Sequence, residues 1–191
     1  MILVALALAC VASVPLAGGN LMRLLDLPLR FKWAALSALA IQVALTTLTT
    51  TEPSDLLKLA HFVSYLLAAA CIVANRRITG LPILALGAAL NLAVIAVNNG
   101  VMPASAQAMR LAGIAPAEHF ANSAPLADPY LLALGDVIPI PGPWPLGNVM
   151  SIGDLLIFTG LLIVLHHACR KAPARPALAE QSSSRLHGVK R

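Results

Sequence analysis

The sequence predicts an all-α, polytopic integral membrane protein with five transmembrane helices and a structured loop joining the fourth to the fifth. Three observations carry that prediction. The 191 residues are 59% hydrophobic and only 11% charged, with a mean hydropathy of +0.82, which leaves too few polar side chains to cover a soluble domain. Five apolar stretches approach the length that crosses about 30 Å of hydrocarbon at about 1.5 Å per residue. The basic residues are segregated to alternate connections, as they are where Lys and Arg are retained on the cytoplasmic side.

Taken in order, the stretches are 2–17, 33–50, 56–74, 81–97 and 152–168. The first is short and contains Pro15, and its competitor is a cleaved signal peptide. No basic residue precedes its apolar run, which favours a retained helix. Arg23, Arg30 and Lys32 follow the first stretch, Arg76 and Arg77 the third, and Arg170, Lys171, Arg175, Arg185, Lys190 and Arg191 the fifth. Glu52, Asp55, Glu118, Asp128 and Asp136 fall in the opposite connections. This pattern places the N-terminus outside and the C-terminus in the cytoplasm. The net charge of +5 then reflects topology and attraction to anionic headgroups, and not nucleic-acid binding. Residues 172–191 are basic, with two prolines and a Gln-Ser-Ser-Ser run, and read as a disordered cytoplasmic tail. Cys10, Cys71 and Cys169 are odd in number and lie in or beside apolar stretches, so they read as small buried hydrophobes.

The segment 98–150 stands apart. It holds eight of the fourteen prolines, together with Phe120, Tyr130, Trp144 and many leucines. Disordered linkers are poor in such aromatic and aliphatic residues, so the segment reads as a rigid external cap packed over the helix ends. A short helix begins at Ser105 and ends at Gly113, and a second turn is expected over residues 116–122. Tyr130 and Trp144 favour the membrane–water interface.

Gly18-Gly19 with Leu21, Arg23 and Leu24, His61 with Tyr65, and Asn91 are followed by Asn98-Asn99-Gly100, Met102-Pro103, Leu134-Gly135-Asp136, Pro139 and Pro141. Asn148-Val149 and Ser151-Ile152-Gly153-Asp154 complete the set. This pattern resembles an uncharacterised bacterial multi-pass membrane family known only as a domain of unknown function. The resemblance covers the chain to about Leu165. It implies an architecture and a likely site, and it implies no reaction; the chain itself is expected in the bacterial cytoplasmic membrane. Asn148-Val149 before a final span, with an upstream aspartate, is also similar to lipoprotein signal peptidase, although Ser151 stands where that aspartyl enzyme has its second catalytic aspartate.

Asp136 and Asp154 are the candidate catalytic residues, because two carboxyls sharing one proton can activate water. Each also has a structural reading. Ser151 and Asp154 have capping-box spacing, and Asp136 follows Gly135 as a turn residue. Asn91, Asn98, Asn99, Gly100, Asn148 and Ser151 are candidate binding residues. Asn91 and Asn98, seven apart, share a helical face and read first as helix-bridging amides. Asn99-Gly100 suits a helix end, since both residues tolerate positive φ. Lys58, His61 and Tyr65 form one stripe of the third stretch. There a snorkelling lysine and a helix-bridging histidine compete with a proton-handling or anion-binding face. His166 and His167 stand at the far end of the fifth stretch, which separates them from His61 by roughly 15 Å or more and argues against a shared haem.

No phosphate loop, dinucleotide fingerprint, Cys-x-x-Cys, zinc-peptidase helix or serine-hydrolase elbow is present. No metal or cofactor is expected. The sequence points to a non-enzymatic binding or interaction surface in the cap, for a lipid headgroup, a peptide or a partner membrane protein. An aspartyl hydrolase at the membrane surface is the second reading, and a small permease or ion pathway the third.

Overall fold

The computed structural model describes residues 2–48, 55–114, 123–142 and 147–170. The element order is α1 (Ile2–Leu16), α2 (Lys32–Leu48), α3 (Asp55–Ala74), α4 (Leu81–Val97), β1 (Met102–Pro103), α5 (Ala106–Leu111), β2 (Ser123–Ala124), β3 (Ile138–Ile140), β4 (Asn148–Met150) and α6 (Ile152–Cys169). Single 3₁₀ turns occupy Leu21–Leu24 and Leu132–Leu134.

The architecture corrects the expected fold class in two respects. Among the described residues only α6, at 18 residues, is long and apolar enough to cross a membrane. The apolar runs Val4–Leu16, Lys32–Ala44, Phe62–Ala74 and Leu81–Val97 are shorter, so the described residues do not form five transmembrane helices. Hydropathy counts apolar residues whether or not the backbone is helical, and whether or not the run is long enough. Residues 17 and 18 already belong to the turn after α1, and the 17 residues of α4 reach only about 25 Å. The chain is also not all-α. β1 pairs in parallel with β2, β3 pairs antiparallel with β4, and Ala104 forms a parallel bridge to Asp136.

α6 is the hub of the helical part. It packs most extensively on α4, and on its other side against α1 and the Leu21–Leu24 turn. Two glycine pairs set the α4–α6 contact, Gly80 with Gly160 and Gly87 with Gly153. They are seven residues apart on each helix, and the antiparallel register brings them together in two layers. A Cβ on Gly80 would lie 2.7 Å from the Gly160 carbonyl oxygen, and one on Gly153 would collide with the Asn91 side chain. The absence of side chains is therefore what lets the two backbones approach. Cys10 and Val14 of α1 bury themselves with Leu165 and Cys169 of α6, in keeping with the reading of both cysteines as small hydrophobes. Ser13 Oγ lies 2.9 Å from His166 Nε2 across the same contact. α2 and α3 pair as a hairpin, with Gln42 Nε2 donating to Ser64 Oγ at 2.6 Å.

The segment between α4 and α6 has a small core of its own, Ala104, Ala108, Met109, Ala112 and Val149, with Ile114 against it. The Ser105 side chain caps α5 by accepting from the Ala108 N–H, and Gly113 ends it at φ +72°, as the sequence predicted. The expected turn over 116–122, Trp144 and the basic tail lie outside the described residues.

Candidate functional site

Asp154 is held where the capping-box spacing places it. At the start of α6 the Ser151 hydroxyl accepts from the Asp154 N–H at 3.0 Å, and the Asp154 carboxylate accepts from the Ser151 N–H at 3.0 Å. Asn91 of α4 closes the arrangement. Its amide donates to Asp154 Oδ1 at 2.8 Å, and its carbonyl oxygen accepts from the Ser151 hydroxyl at 2.9 Å. Ser151 is fully buried. The glycine contact beside it, Gly87 against Gly153, brings α4 close enough for Asn91 to reach both partners. Asn91 is thus a helix-bridging amide, as expected, and the carboxylate of Asp154 also gains from the positive end of α6.

Asp136 lies in the cap beside this network. Its backbone is fixed on both sides, with its N–H donating to the Pro103 carbonyl and its own carbonyl accepting from Ser105 N–H. Gly135 precedes it because any Cβ there would collide with the Pro103 carbonyl oxygen. The carboxyl is 7% exposed and accepts one hydrogen bond, from Ser123 Oγ at 2.5 Å. Burial pushes its pKa up to about 6; the Ser123 hydrogen bond pulls it down, and repulsion from Asp154 raises it further. The two aspartates therefore act on each other through space, while their hydrogen bonds go to different partners. Chemically, this is a buried acid whose pKa is raised toward neutrality, set beside a second acid held by its own donors.

The other candidates separate from this pair. Asn98 is buried, and its amide is consumed in holding the cap. It donates to the Val94 and Tyr130 carbonyls and accepts from the Tyr130 N–H. Asn99, at φ +55°, and Gly100, at φ +88°, are exposed and end α4, which is the helix-end reading of those residues. Asn148 lies in β4 opposite Ile140, and its side chain accepts from the neighbouring Val149 N–H. Lys58 and His61 belong to α3, but their side chains lie outside the described residues.

Sequence reasoning missed Ser123, Asn75 and the glycine pairs. Ser123 carries no sequence signal, because it reaches Asp136 only through the pairing of β2 with β1. The glycine pairs were visible as two seven-residue spacings. Asn75 repeats the device of Asn98 at the end of α3. It donates to the Cys71 and Arg30 carbonyls at 2.7 Å each and accepts from the Arg30 N–H at 2.9 Å. In each case the residue that is clamped, Arg30 or Tyr130, precedes one in the left-handed region, Phe31 at φ +57° or Leu131 at φ +55°.

A family model described as a family of unknown function, DUF5317, matches residues 26–166. The chain belongs to that family. The match takes in Asn91, Asp136, Ser151, Asp154 and both asparagine clamps, and leaves α1 and the Gly18–Leu24 tract outside. An uncharacterised protein of Thermotoga maritima is 34% identical over 103 residues, covering 53% of this chain and 60% of that relative. The DUF5317 chain therefore aligns with less than two thirds of that relative's length. No solved structure matches. The family match carries no activity, and the similarity to lipoprotein signal peptidase gains nothing from it.

Proposed function

We propose that this chain is a membrane-resident, non-catalytic binding protein whose cap uses Asp136 to recognise a cationic group on a lipid headgroup, peptide or partner protein. The observation that carries the reading is the state of Asp136. It is a buried carboxyl whose pKa is pushed up to about 6, with Ser123 as its side-chain donor among the described residues and Asp154 as its acidic neighbour. A cation placed there would favour the ionised form and relieve the repulsion from Asp154.

Residence in the membrane is supported by α6. Its mean hydropathy is 1.8, yet only 22% of it is buried inside the protein, whereas the core helix of a soluble domain is mostly covered. Leu36, Leu39, Leu66, Val73, Leu86, Leu92 and Leu155 on four helices are likewise exposed. Arg170 and the basic residues after it favour the bacterial cytoplasm, which sets the cap at the outer surface. Retention in the pellet after an alkaline wash supports this placement, and release into the supernatant refutes it.

The binding test is thermal unfolding in an uncharged detergent with hexylammonium as the probe, against potassium at equal ionic strength. The expected result is stabilisation that is larger at pH 7.5 than at pH 5 and is lost in Asp136→Asn. Equal stabilisation of the variant overturns the reading.

Hydrolysis by Asp136 and Asp154 is the second reading, favoured by the electrostatic coupling of the two acids. It requires Asp154 to do chemistry while its oxygens are held by Asn91 and Ser151. Cleavage of a membrane-bound peptide that is abolished by either Asp136→Asn or Asp154→Asn would establish it.

A further inference from the structure

A second polar feature lies far from the cap in sequence and in space. A cavity of about 210 Å³ is lined by Arg30, Val73, Ala74, Arg76 and Arg77. Arg76 and Arg77 follow α3 directly, where cations suit the negative end of a helix. Arg30 instead precedes α2, where the helix dipole does not favour a cation. It is brought 45 residues along the chain by Asn75, whose amide pairs with both the N–H and the carbonyl of Arg30. That amide is 5% exposed, so the clamp is part of the packed structure and sets where the third arginine stands.

We propose that Arg30, Arg76 and Arg77 form a binding site for a phosphate group. Three arginines line one small cavity, no carboxylate lines it, and among the described residues none of the three is in an ion pair. An anion is the ligand that complements three positive side chains with no carboxylate among them. The planar donor forks of arginine match phosphate oxygens two at a time, which favours phosphate over a halide. Size narrows the choice further. The cavity, at about 210 Å³, is below the roughly 300–1,000 Å³ of pockets that enclose a drug-sized ligand. It suits a phosphate whose remainder stays outside.

Two sources present that chemistry, the headgroup of an anionic phospholipid and free phosphate. The turn carrying Arg76 and Arg77 leads into Gly80, which packs on Gly160 and Ile163 of α6, well past its N-terminal turn. The site therefore sits at the end of the helical part that Arg170 marks as basic, where inter-helix pockets meet anionic headgroups. The lipid source rests on the membrane reading above; the phosphate source does not.

The experiment uses the full chain in two arms. In uncharged detergent it is titrated with inorganic phosphate, with chloride at equal ionic strength as the control, and thermal stabilisation is read. In parallel it is reconstituted into phosphatidylcholine vesicles containing a minority of phosphatidylglycerol, re-extracted, and examined by native mass spectrometry for retained phosphatidylglycerol. Arg30→Gln and Arg77→Gln are each expected to weaken binding about tenfold or more, Arg30→Lys less, and Arg110→Gln on α5 not at all. Phosphate stabilisation without retained lipid assigns the site to the free anion, and retained lipid assigns it to the headgroup; either supports the site. Binding in neither arm, or equal weakening by Arg110→Gln, overturns it. Failure of the hexylammonium test at Asp136 would leave the phosphate arm untouched.

Discussion

Replacing Asp136 with asparagine should make the protein more stable at neutral pH, and the size of the effect follows from the site. The ordinary value of an aspartate, 3.8, is raised in the fold to about 6. The gap is about 2 units, and at about 1.4 kcal/mol per unit it corresponds to about 3 kcal/mol. The sign is that of an acid whose folded pKa is raised. Below pH 3.8 both states are protonated and the site costs nothing. Between pH 3.8 and about 6 the unfolded chain sheds its proton while the folded one keeps it, so stability falls as pH rises. Above about 6 the loss is complete. Asparagine keeps an oxygen to accept from Ser123 Oγ, which lies 2.5 Å away, and carries no charge to desolvate or to repel Asp154. Thermal unfolding in detergent from pH 4 to pH 8 should therefore show wild type and variant converging at the acid end. They should diverge above pH 6 by up to about 6–12 °C, taking about 2–4 °C per kcal/mol for a chain of this length. A flat wild-type profile, or a variant less stable at pH 8, would refute the account of Asp136 as a desolvated acid.

Other perturbations test the framework around that site. Ser123→Ala removes the hydrogen bond that lowers the Asp136 pKa, so its midpoint should move above about 6 in a carboxyl-resolved NMR titration. Gly153→Ala forces a methyl group into Asn91 and should cost about 1–3 kcal/mol by overpacking, read as a lowered Tm. Ser151→Ala removes both the cap of α6 and the donor to Asn91, and a loss of about 1–2 kcal/mol is expected. Asn75→Ala leaves the Arg30 N–H and carbonyl without their partner; amide exchange at Arg30 should accelerate while exchange in α6 stays slow.

Local signals in the sequence survived into the structure, and long-range ones did not. The capping box at Ser151 and Asp154, the Ser105 start and Gly113 stop of α5, and the Asn99-Gly100 ending of α4 are each decided within a few residues. The chemistry that decides them is therefore written contiguously. Asn91 was legible as a bridging amide because an asparagine inside an apolar helix must find a partner. The separation of Asp136 from the capping network, its bond to Ser123 and the carriage of Arg30 to Arg76 depend instead on strand register and on clamps 32 or 45 residues apart. No periodicity encodes those distances. The five-span expectation failed for a related reason. Hydropathy reports how apolar a run is, and not where its helix stops: residues 17 and 18 form a turn, and α4 ends after 17 residues.

The two asparagine clamps connect these observations. Asn75 and Asn98 each bind the N–H and the carbonyl of one loop residue and a carbonyl of their own helix, so each fixes an irregular segment to a helix end without using its side chains. The charged groups that follow are then free for other work: Arg30 turns to the arginine cavity, and the cap beyond Tyr130 carries Asp136 to the head of α6. Burial of the Asp136 carboxyl raises its pKa and disfavours its ionised form, a cost that a purely structural cap would be expected to shed by substituting asparagine. A buried, desolvated acid beside the small apolar core of Ala104, Ala108, Met109, Ala112 and Val149 is the strongest reason to look for a ligand there.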